Sequence, residues 1–60
     1  MPGPEKEDHR RAEQQYRHYA DELFRIAEQT DEEAERERLL GMAEAWLQLA
    51  ARMKVLGSDA

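Results

Sequence analysis

Two runs of apolar residues share one four-three spacing, with a short polar break between them, and a pair of α-helices is the arrangement that satisfies such a pattern. The first run is Ala12, Tyr16, Tyr19, Leu23 and Ile26, flanked by Ala20, Phe24 and Ala27. The second is Leu39, Ala43, Trp46, Ala50 and Met53. Neither contains proline, so nothing in them forbids continuous helix. The spacing predicts a first helix over about 5–29 and a second over about 31–56. A connection this short forces the two antiparallel, giving an all-α two-helix hairpin over 5–56.

The ends carry their own signals. Both prolines and one glycine fall within residues 1–4, which predicts a disordered lead, with Pro4 suited to a first helical turn. In "QTDEEAERER", Thr30 and Glu33 have the spacing of a capping box, hydroxyl to backbone amide and carboxylate back again. Asp31, Glu32, Glu33 and Glu35 then complement the positive end of the helix dipole, and Arg52 and Lys54 its negative end. Gly57 is placed for a left-handed cap, after which 57–60 is expected to fray.

A chain of 60 residues buries too small a fraction of its surface to be comfortably stable alone, and there is no cysteine to supply a disulfide or a thiolate metal site. Oligomerisation is the remaining support. The second helix points the same way. At about 100° per residue, Met42, Leu49 and Leu56 form one stripe beside its main seam, and Leu40 and Leu47 form another. Glu44, Gln48 and Arg52 mark its wet side. The apolar arc spans roughly 200°, about twice what docking on one neighbour requires. A homodimeric four-helix bundle would cover the rest, with Leu39, Met42, Ala43, Trp46, Leu49, Ala50, Met53 and Leu56 as the expected interface. The first helix, with its narrower stripe, would then sit toward the outside.

Net charge is −5, which opposes attraction to nucleic acid and to anionic membranes, and no segment is apolar enough for a signal peptide or a bilayer span. A cytoplasmic protein is the expectation. Chemistry is equally sparse. A bundle metal site would need an inward Glu-x-x-His pair, but Lys6 stands three places before His9 and Gln15 three before His18. Both histidines are expected in solvent, with His9 near the end of the seam. Glu13 with Arg17, Asp21 with Arg25 and Glu32 with Arg36 read as helix-surface ion pairs rather than acid–base machinery. No catalytic residue, metal or cofactor is expected, and the function is read as a non-enzymatic interaction or scaffold module.

The start of the first helix is basic, with Arg10, Arg11 and Arg17, and the hairpin brings Arg52 and Lys54 toward it. This patch offers a contact for an acidic protein. The alternative is a small regulatory nucleic-acid binder using these arginines with Tyr16 and Tyr19. Gly41 stands on the wet side of the second helix, where core packing gives it no role and a glycine costs about 1 kcal/mol relative to alanine.

Tyr16, Ala20, Ala27, Asp31, Leu39, Leu40, Met42, Ala43, Trp46, Leu49 and Ala50 follow a Leu-Leu-x-Met-Ala-x-x-Trp-x-x-Leu-Ala pattern preceded by a tyrosine and alanine helix and an aspartate-led turn. In this the chain resembles the short, uncharacterised helical-hairpin proteins of alphaproteobacteria over about two-thirds of its length. It departs from them at Glu32, where they often carry proline, and at Gly41, where they often carry a polar or charged residue. The resemblance implies a bacterial cytoplasmic origin and brings no activity with it.

Overall fold

The computed structural model describes residues 5–57, so the lead expected over 1–4, with Pro4, and the tail beyond Gly57 lie outside the described residues. Two helices, α1 (Glu5–Glu28) and α2 (Glu33–Leu56), pack against each other as an antiparallel hairpin. Each has 24 residues, about 36 Å of helix at 1.5 Å per residue. No strand occurs among the described residues.

The turn differs from expectation, for a local reason. The Thr30 hydroxyl does not cap α2; it donates back to the Ile26 carbonyl at 2.7 Å and so closes the end of α1. Helix α2 begins at Glu33 with Glu32 as an N-cap in extended conformation, and no side chain caps it. Arg36 secures the connection instead, its Nε and Nη2 donating to the Thr30 carbonyl at 3.3 and 3.0 Å. This use of Arg36 replaces the expected pair with Glu32. Glu13 and Arg17 do approach, at 3.9 Å, while Arg25 pairs with Glu22 at 3.6 Å rather than with Asp21. These helix-surface pairs, with Glu13 half-buried, contribute little, about 0.3–0.5 kcal/mol each.

Helix contact is made by small residues. Among the described residues the buried apolar side chains are Ala20, Ala27, Ala43 and Ala50, and no large side chain is fully buried. The alanines lie seven apart on each helix, and on α2 the series continues to Gly57, which is also buried. A seven-residue repeat keeps one line of a slightly supercoiled helix on its neighbour. The inward line of α1 is therefore the alanine row, not the tyrosine and isoleucine row expected from the spacing. Tyr19 and Ile26 are turned out, 44% and 49% exposed. Bulky residues on the contact line would hold the backbones apart, whereas alanines let them close.

Gly57 ends the same row. Its φ of −85° is right-handed, so the expected left-handed cap is not formed. A Cβ there would lie 3.4 Å from the His9 Cβ and 3.3 Å from the Met53 carbonyl oxygen. The helices come near here, but a Cβ would meet His9 and Arg10 at ordinary contact distance and be pressed only by the Met53 carbonyl of its own helix.

Two substitutions separate these effects. Ala20→Leu should wedge the helices apart and lower stability by about 1–3 kcal/mol in urea unfolding followed by circular dichroism. Gly41→Ala should do the reverse, because a Cβ at Gly41 meets nothing within 4 Å. Its gain should be about 0.5–1 kcal/mol, seen as a rise of several degrees in melting temperature.

Candidate functional site

With alanines on the contact line, the larger apolar residues fall to its sides. On α1, Tyr16, Tyr19, Leu23 and Ile26 lie on one flank; on α2 the same flank carries Met42, Trp46, Leu49 and Leu56. The rings show that the two flanks form one face. Trp46 stands 5.3 Å from Tyr16 and 4.9 Å from Tyr19 between centroids, tilted at 42° and 55°. Such tilted pairs add about 0.5–1.5 kcal/mol beyond area burial. Beside them lies an open depression of about 460 Å³ lined by Tyr19, Glu22, Leu23, Met42 and Trp46.

The face remains substantially open to water. Met42 is 47% exposed, Leu49 39% and Leu56 51%, alongside Tyr19 and Ile26. Of the interface residues expected from sequence, Ala43 and Ala50 are excluded from this surface, because the hairpin itself buries them to 0% and 3% exposure. Leu39, Trp46 and Met53 are half-buried and divide their surface between the hairpin and the open face. Tyr19 and Ile26 join the face although the spacing assigned them to the hairpin core. Helix α1 thus contributes to the open face rather than standing outside it.

The opposite side is smaller and mixed. Glu13, Arg17, Leu47, Ala50, Ala51 and Lys54 line a second depression of about 290 Å³. Here Arg17 and Lys54 come together, with Glu13 beside Arg17. Arg10 lies against Gly57. At about 100° per residue, Arg11 and Arg52 project from other sides of their helices. The five basic residues expected to form one patch are therefore divided between two or more surfaces.

His18 is exposed, with its ring 6.3 Å from that of Tyr19. His9 departs from the expectation of a solvated ring, being half-buried beside Gly57 with its Nδ1 shielded and without a hydrogen-bond partner. Among the described residues no cluster of three or more His, Cys, Asp or Glu side chains could hold a metal, and no helix is long and apolar enough to cross a membrane. No protein-family model, curated protein or solved structure matches the chain.

Trp46 is the residue that ties the open face to the hairpin. Trp46→Ala should remove both ring contacts and cost about 2–4 kcal/mol, the lower part of the usual range because the ring is only half-buried. Urea unfolding of the variant beside the wild type measures this directly.

Proposed function

We propose that the chain is a non-enzymatic protein-interaction module that acts as a homodimeric four-helix bundle, two hairpins packing through the face around Trp46. One observation carries the reading: no large side chain is fully buried within the described hairpin, while Tyr19, Ile26, Met42, Leu49 and Leu56 share one half-exposed face.

In a square bundle each helix meets two neighbours about 90° apart. The alanine row of each helix meets the first, and the row through Tyr19 and Ile26 or through Met42 and Leu49 is placed for the second. The outer surface then carries the charges. The groove holding Arg17 and Lys54 is its candidate contact for an acidic protein. Nothing in the arrangement favours the nucleic-acid alternative, since Glu13 offsets Arg17 and Arg11 projects away from Arg10. The resemblance to bacterial cytoplasmic hairpin proteins fits a module of this kind.

Stability of an obligate dimer depends on protomer concentration, so the melting temperature should rise as the protein is concentrated. Leu49→Lys, which places a charge in the middle of the face, should raise the dimer dissociation constant by about a hundredfold or more. Sedimentation equilibrium combined with circular dichroism over a hundredfold concentration range reads both. A folded 7.0 kDa species whose melting temperature ignores concentration would overturn the proposal.

A further inference from the structure

Two arrangements let a second hairpin cover the face, and they differ in which helices meet. With the two-fold axis along the helices, α1 lies over α2 of the second copy. With the axis across them, α1 lies over α1 and α2 over α2. Neighbouring helices are antiparallel in both, so backbone direction does not choose. Charge at the rims does.

At about 100° per residue, the row that borders the open face on α1 is Asp8, Gln15, Glu22 and Gln29, and on α2 it is Arg38, Ala45 and Arg52. One rim is acidic and the other basic. The charged residues are fourteen apart on both, Asp8 to Glu22 and Arg38 to Arg52. An antiparallel overlay that brings Glu22 to Arg38 therefore brings Asp8 to Arg52 as well.

The level is right. Within the hairpin, Tyr16 stands beside Trp46 and His9 beside Gly57. An axis along the helices preserves these heights between copies. With Tyr19 also beside Trp46, Glu22 then falls two to six residues along the axis from the level of Arg38, and Asp8 the same from Arg52, about 3–9 Å at 1.5 Å per residue, a reach for two long side chains. All four are exposed. Glu22 and Arg38 already hold intrahelical partners, Arg25 at 3.6 Å and Glu35 at 4.0 Å, and a carboxylate or guanidinium can serve two. The row beyond Glu22 on α1, with Arg11, His18 and Arg25, lies further toward solvent.

The other arrangement lays the acidic rim on the acidic rim and the basic rim on the basic rim, like charge on like. We infer that the second copy docks with the two-fold axis along the helices, α1 of each chain on α2 of the other, selected by Glu22–Arg38 and Asp8–Arg52 pairing across the interface. This rests on the dimer proposed above and specifies its orientation. Electrostatic complementarity of this kind chooses between packings of similar apolar area more than it adds affinity.

Complementary charge reversals test it. Glu22→Arg and Arg38→Glu, each alone, should weaken the homodimer by roughly tenfold, since two symmetry-related attractions become repulsions. Mixed, the two variants should form heterodimers well above the statistical half, because the arginine introduced by Glu22→Arg in one chain meets the glutamate introduced by Arg38→Glu in the other while the second pair stays native. Native mass spectrometry of differently tagged chains counts the species, and circular dichroism verifies that each variant keeps its helices. Asp21→Arg, on the far side of α1, should leave wild-type dimerisation unchanged. Statistical mixing, or a Glu22→Arg homodimer tighter than wild type, would overturn the orientation while leaving the dimer standing. A monomeric wild type would overturn both.

Discussion

Everything in this hairpin depends on how closely two helices approach along a line of small residues. Ala20 and Ala27 on α1 and Ala43, Ala50 and Gly57 on α2 occupy that line at seven-residue intervals. Side chains of this size let backbones close but bury little apolar area, each contributing on the order of 1 kcal/mol. The contact determines geometry far more than it supplies stability. A chain built this way has its register and axis before it has a sufficient core.

The larger apolar residues are displaced to the side as a direct consequence. Trp46, with Tyr16 and Tyr19 against it, marks where they collect, and the half-exposed Met42, Leu49, Leu56 and Ile26 extend the face along the hairpin. Four buried alanines are a small core for a domain of this size. The proposed second copy would cover the residues that the alanine row displaces. In the proposed dimer the acidic rim of one helix and the basic rim of the other would give that burial a direction, at positions where an exposed charge contributes little to the single hairpin.

The candidate surface is only partly legible in the sequence. Met42, Leu49 and Leu56 were readable as surplus because the arc of the second helix is visibly too wide for one neighbour. The spacing puts Tyr19 and Ile26 in the core, although the alanines at 20 and 27, seven apart and matched by 43 and 50, signal that the small row faces inward. The turn differs from the capping-box expectation for a comparable reason. Thr30 can serve either neighbouring helix, and its hydroxyl closes α1 while Arg36 holds its carbonyl.

Local chemistry in the sequence determined that there are two helices, that one short polar stretch separates them, and that they run antiparallel, because periodicity and connection length act within a few turns of chain. The tertiary structure decided which stripe faces inward. On α1 the alanine row and the tyrosine row lie about 100° apart on the same helix, and both are apolar, so either could have been the contact by hydrophobicity alone. The choice belongs to the pair. Only when the second helix brings its own alanines and glycine to the same line does close approach favour the small row, and the large row becomes surface.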